Sequence, residues 1–174
     1  MANTNRQFQG ALSRAQGKMF EDLIDMACRF YEAKGIAVIE KTPEPMKPIK
    51  DLGGGKFIAH YEKQAQPDYK GALNNGEGRA IVFEAKHTMS DRIDRSRVTT
   101  EQEECLDKYE KMGAMCFVIV AFSNKYYRIG WKGWKNMKTL LGRQYIKPED
   151  IEKAQIPVKG GIIRFLCDLE QGEL

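Results

Sequence analysis

Nine consecutive apolar residues, Ala114-Met115-Cys116-Phe117-Val118-Ile119-Val120-Ala121-Phe122, constrain this chain more than any other stretch. A strand with one wet face alternates apolar and polar side chains, whereas a strand without polar positions needs cover on both faces. The run therefore predicts a central strand in a sheet flanked by helices, an α/β arrangement. Upstream, Phe20, Leu23, Ile24, Ala27 and Phe30 recur at helical spacing. They predict a helix from Ser13 to Lys34, with Ser13 and Gln16 as a capping box and Gly35 closing its end. Residues 1–12 are polar and are expected to be mobile. Gly35 to Lys41 reads as a buried strand, and Glu101 to Lys111 as a helix showing Gln102, Leu106 and Tyr109 on one side. Tyr126 to Trp131 predicts a strand, Trp134 to Leu141 a helix, Pro148 the start of a short helix, and Gly161 to Leu166 a closing strand. The fold expected is a mixed central β-sheet flanked by helices, in one domain over residues 1–174.

Composition removes several classes. Apolar residues make up 42% and charged residues 30%, which suits a chain with a packed core. No apolar run approaches the roughly 18 residues of a membrane helix, and the first residues lack the apolar segment of a secretory signal. Cys28, Cys105, Cys116 and Cys167 are scattered without a Cys-X-X-Cys pair. They read as free thiols in a reducing cytoplasm, with no zinc site expected. His60 and His87, the two histidines, show no ligand spacing. The net charge of +4 permits a polyanionic partner.

The segment from Thr42 to Pro48 carries three prolines and cannot continue a central strand. It leads through Lys50 to Gly53-Gly54-Gly55, then to Lys56 and the strand-like Phe57 to Tyr61. Two extended arms and a glycine-rich tip predict a projecting ribbon over residues 43–66. Its lysines, Lys47, Lys50, Lys56 and Lys63, suit phosphate contacts or simply keep a loop solvated. Composition does not separate the two.

The chemistry concentrates between Pro67 and Lys86. Asn74-Asn75-Gly76-Glu77-Gly78 is a dense turn signal, and Ala80-Ile81-Val82-Phe83 reads as a strand, so the stretch predicts a β-hairpin. Alternation along the strand puts Glu84 and Lys86 on one face, and Asp68 can lie opposite Glu84. Two carboxylates this close repel unless a cation lies between them. A divalent metal such as Mg2+ takes one or two carboxylates plus water and substrate phosphate. A neighbouring lysine can orient water or steady charge on a phosphate. The same residues on an ordinary solvated edge strand would carry no chemistry. Other residues have two readings. Glu21 is either a further acid near the metal or a carboxylate favoured by a helix N-terminus. Gln102 can reach a metal or meet solvent. The basic stretch Ser90 to Thr100, with Arg92, Arg95 and Arg97, looks like a loop beside the site. Aromatics interleaved with Lys125, Arg128, Lys132, Lys135 and Lys138 could stack on nucleic acid, and fit better as core residues behind an amphipathic edge.

Pro67-Asp68 followed by Glu84-Ala85-Lys86 resembles the active-site motif of the PD-(D/E)xK nuclease superfamily. A longer match is more specific. Gly35-Ile36-Ala37-Val38-Ile39-Glu40-Lys41-Thr42-Pro43-Glu44-Pro45, Asp68-Tyr69-Lys70-Gly71 and Phe83-Glu84-Ala85-Lys86-His87-Thr88 resemble segments of the RecU family of Holliday-junction resolvases, found in Gram-positive bacteria and their phages. The likeness spans about Gly17 to Phe122. It implies a homodimer that cuts four-way DNA junctions with Mg2+, Mn2+ being a substitute, by paired symmetric nicks. Asp68, Glu84 and Gln102 fall on the family's metal positions, and Lys86 on its transition-state-stabilising lysine. Gln66 stands where the family has threonine. The ribbon corresponds to a stalk that enters the open junction, here short and tipped by three glycines. A recombinase is a candidate partner. Two alternatives stay open: another DNA-processing nuclease of the superfamily, or a junction-binding recombination accessory protein.

Overall fold

The computed structural model describes residues 2–43, 45–61 and 66–169. The chain opens with α1 (Ala2–Ala33), followed by β1 (Ala37–Lys41), the ribbon strands β2 (Met46–Gly53) and β3 (Lys56–Tyr61), and the hairpin β4 (Tyr69–Leu73) and β5 (Ala80–Thr88). Then come a short β6 (Ile93–Asp94), α2 (Thr100–Lys111), β7 (Met115–Phe122) and β8 (Lys125–Gly130). Two short helices, α3 (Trp131–Lys135) and α4 (Met137–Leu141), precede β9 (Tyr145–Ile146), β10 (Val158–Lys159) and β11 (Ile162–Ile163). A five-stranded sheet in the order β1-β4-β5-β7-β8 forms the middle. Its β5–β7 pair is parallel and the others are antiparallel, so the sheet is mixed, as expected.

Helices cover both faces. On one, α1 lays Phe20, Ile24, Ala27 and Tyr31 over Phe83, Phe117 and Ile119. On the other, Leu106 of α2 and Trp131, Trp134 and Met137 pack on Val82, Val118 and Val120. The apolar run of β7 is buried along Phe117 to Phe122, which is why it tolerates no polar residue. Tyr69, Phe83 and Phe117 stack in neighbouring register across β4, β5 and β7, with centroids 4.8 Å apart at each step.

Several expectations are corrected. The first residues form helix from Ala2, so Ser13 lies inside α1 and caps nothing. Ala11, Leu12, Arg14, Ala15 and Gln16 are good helix formers and carry the helix through Gly10 and Gly17. The strand β1 is an edge, not buried on both sides: Ala37 and Ile39 face α1 while Val38 is 53% exposed. The helix expected from Trp134 is two shorter helices meeting at Asn136, and Trp131 belongs to the first. The closing strand shrinks to Ile162 and Ile163, while Phe165 and Leu166 bury themselves as turn residues. The expected ends of α1 and α2 hold, with Gly35 at φ 65° where a side chain would be strained. Tyr127, Trp131 and Trp134 are core residues, and Arg128 and Lys135 pair with Asp168 and Asp107, which favours the packing reading of that stretch. Lys63 and Glu44 lie outside the described residues. Among the described residues, no helix is long and apolar enough to cross a membrane, and all four cysteines are unpaired.

Gly71 in β4 is packed against the neighbouring backbone. A Cβ there would stand 2.0 Å from the Val38 carbonyl oxygen. Gly71→Ala must push β1 away from β4, and is expected to cost about 2–3 kcal/mol. Differential scanning calorimetry should find the melting temperature lower by roughly 4–12 °C.

Candidate active site

The register of the hairpin builds the site. Tyr69 pairs with Phe83, so the preceding Asp68 comes level with Glu84. The odd-numbered side chains of β5 face α1, and the even-numbered ones, Val82, Glu84 and Lys86, face α2. Asp68 is held by a hydrogen bond that the Ala85 backbone N–H donates to its Oδ2 at 2.9 Å. Lys86 Nζ lies 2.6 Å from Glu84 Oε2 and 3.4 Å from Asp68 Oδ2. The three predicted residues therefore converge.

Their exposures differ. The Glu84 side chain is 0% exposed, Lys86 13% and Asp68 34%, so the site runs from the protein interior to a wet rim. Burial, and then the nearby Asp68, push the Glu84 carboxyl up to about 8, against the opposing pull of Lys86. One oxygen, Glu84 Oε1, is buried without a hydrogen-bond partner. A buried carboxylate oxygen left unmade is costly unless something positive meets it.

Gln102 reaches the site from the first turn of α2. Its Nε2 donates to Glu84 Oε2 at 2.8 Å, while its Oε1 accepts from the Thr99 backbone N–H at 3.1 Å. Thr99 Oγ1 in turn accepts from the Gln102 N–H, which completes a capping box. The helix starts from Thr99, ahead of the expected Glu101, and Thr99-Thr100-Glu101-Gln102 spells the capping pattern. Gln66 turns its Oε1 to Lys70 Nζ at 2.7 Å. Glu21 pairs with Lys41 at 2.7 Å on the α1 side, and no hydrogen bond joins it to Asp68 or Glu84. On that same side Tyr69 anchors the hairpin by donating to Asp25 at 2.9 Å. Arg95 is bound to Glu103, and Arg97 donates to the His87 carbonyl, which pins the basic loop beside β5.

The donor set suits a hard divalent cation. Two carboxylates stand together, one with an unmet oxygen, and among the described residues no thiol or imidazole completes a ligand group with them. Among the described residues no group of three or more His, Cys, Asp or Glu side chains is placed to hold a metal ion, and the Gln102 and Gln66 oxygens face Thr99 and Lys70, so a cation at Asp68 and Glu84 would complete its shell with water.

A hairpin bearing two carboxylates and a lysine on a mixed sheet, with a helix delivering an amide, matches the residue pattern of the PD-(D/E)xK nucleases. The family model of Recombination protein U (RecU) matches residues 15–170, and the chain belongs to that family. Its relatives include the Holliday junction resolvase RecU of Streptococcus sanguinis, 28% identical over 90% of this chain and 85% of the relative. That of Bacillus pumilus is 30% identical over 87% of this chain and 77% of the relative. Among solved structures, the Holliday junction resolvase Hjc of Archaeoglobus fulgidus superposes with a TM-score of 0.46 at 13% identity, covering 82% of this chain and 92% of that one.

The raised Glu84 carboxyl has a stability consequence. The folded chain holds a proton there that the unfolded chain has already released, so this contribution is present at low pH and is lost as pH rises toward about 8. In metal-free protein, the melting temperature of wild type minus that of Glu84→Gln should fall as pH goes from about 5 to about 8. A pH-independent difference would mean that Glu84 is ionised in the folded chain.

Proposed function

We propose that this chain is an endonuclease that cuts four-way DNA junctions, with its active centre at Asp68, Glu84 and Lys86. The observation that carries the chemistry is the buried Glu84, with one oxygen unmet and the other held by Lys86 and Gln102, directly beside Asp68. Membership of the RecU family supports the substrate, since relatives across most of this chain's length are named Holliday junction resolvases.

Asp68 and Glu84 would hold a divalent cation, and Gln102 or Gln66 would add an oxygen only if its amide turned away from Thr99 or Lys70, where each oxygen now lies. Mg2+ fits this oxygen-rich set, and Mn2+ would substitute. Such an ion, when bound, supplies a water of lowered pKa and a counter-charge for the scissile phosphate. The Ala85 N–H keeps Asp68 aimed at the site, and the Gln102 amide fixes one oxygen of Glu84 so that the other stays available. Lys86, in contact with both acids, would donate to a phosphate oxygen as negative charge builds there. The product would carry a 5′-phosphate. Two copies related by a twofold axis would nick two strands of like polarity, which suits a symmetric junction. Selection would rest on DNA shape and backbone more than on base edges.

The test is cleavage of a labelled four-way junction and a linear duplex with Mg2+, using wild type, Asp68→Asn and Lys86→Ala. Paired symmetric nicks on the junction alone are expected from wild type. Rates should fall at least about 100-fold in each variant, the usual scale for losing one transition-state-stabilising group. Equal cutting of the duplex would make this a general nuclease. Tight junction binding without cleavage in either metal would make it a binding protein.

A further inference from the structure

The ribbon is not a regular pair of strands. Its pairs run Lys47 with His60, Pro48 with Ala59, Lys50 with Ile58, Asp51 with Phe57, and Gly53 with Lys56. The register shifts twice, between Pro48 and Lys50 and between Asp51 and Gly53, which leaves Ile49 and Leu52 as extra residues on β2. Each is a β-bulge, with two residues on one strand opposite one on the other.

The first bulge decides where the lysines point. Lys47 and Lys50 are three residues apart, and in a regular strand they would face opposite ways. The extra Ile49 brings Lys50 back to the face of Lys47. Paired residues share a face, and alternation along β3 puts Lys56, Ile58 and His60 together. One face of the ribbon thus holds Lys47, Lys50, Lys56 and His60, while the other holds Met46, Pro48, Ala59, Phe57 and Asp51. Every described lysine of the ribbon is on the first face, and the only described acid is on the second. Asp51 is occupied locally, accepting from the Gly53 N–H at 2.7 Å. Among the described residues none of the three lysines is ion-paired, and all three are exposed.

Spacing adds to this. Along β3 the partners of Lys47 and Lys50 are two residues apart, and Lys56 is two further on. The lysines therefore recur at about 7 Å, two strand rises. That is about twice the axial rise of phosphates along one strand of duplex DNA.

We propose that the bulges of β2 convert the ribbon into a one-sided phosphate-tracking strip. Lys47, Lys50 and Lys56 run along a nucleic-acid backbone on one face, while the Met46, Ala59 and Phe57 face makes no backbone contact. This rests on the DNA-cutting reading above and adds to it which face of the ribbon meets DNA and what sets that face.

The experiment moves one charge across the ribbon at constant net charge. Binding of a fluorescent four-way junction is followed by anisotropy in EDTA over about 50–200 mM KCl. The proteins are wild type, Lys50→Ala, and Lys50→Ala with Ala59→Lys. A second relocation, Lys50→Ala with Met46→Lys, uses an opposite-face position that is 55% exposed, in case Ala59→Lys melts early. Loss of one phosphate contact should lower the slope of log K against log salt by about 0.9. Lys50→Ala should show that loss, and both relocated lysines should fail to restore it. A wild-type slope in either folded relocation variant, or in Lys50→Ala itself, overturns the one-sided strip. Equal wild-type affinity for junction and linear duplex would instead count against junction selectivity, and the slopes measured on the duplex would still decide which face is used.

Discussion

The stack of Tyr69, Phe83 and Phe117 is the interaction on which the candidate site depends. These rings sit in neighbouring register on three strands, buried beneath α1, and Phe165 closes against two of them. A one-residue slip of β4 against β5 would turn Tyr69 out of the stack and carry Asp68 away from Glu84. Aromatic pairs across strands resist such a slip through both area and geometry. The Tyr69 hydroxyl, bound to Asp25, ties the same stack to α1. Packing on one face of the sheet thereby fixes the separation of acids on the other.

That other face is electrostatically expensive. A carboxyl group with no solvent exposure is held by Lys86 and Gln102, yet keeps one oxygen without a hydrogen-bond partner. A core selected for stability alone would place an apolar residue there. The surroundings are otherwise apolar, with Val82 on the same strand and Leu106 on α2. Such an arrangement stores a preference for positive charge at one point, and the rest of the sheet sustains it.

Much of this was legible in the residues, for physical reasons. The unbroken apolar run of β7 pointed to a central strand, and alternation along a strand put Glu84 and Lys86 on one face. The Asn-Gly-rich turn fixed the hairpin, and the prolines and glycines around Lys50 fixed the ribbon. What stayed hidden depended on long-range partners. Whether Val38 is inside or outside depends on which strand ends the sheet. The capture of Glu21 by Lys41 requires knowing that α1 crosses beside β1. The face of each ribbon lysine hinges on bulges that no local pattern announces. Trp131 and Trp134 fit core burial better than stacking on nucleic acid, and the sheet beneath them decides it.

The parallel pairing of β5 with β7 has a consequence for biosynthesis. The hairpin carrying Asp68, Glu84 and Lys86 leaves the ribosome before α2 and β7, and its inner strand gains its second neighbour only when residues 115–122 have emerged. Until then Glu84 lacks Gln102 and the cover of α2, and the apolar face of β5 stays open. A nascent or truncated chain therefore contains every acidic and basic group of the site in its sequence and none of the enclosure that sets their properties. The candidate centre at Asp68, Glu84 and Lys86 is therefore enclosed only after residues 115–122 have joined the sheet.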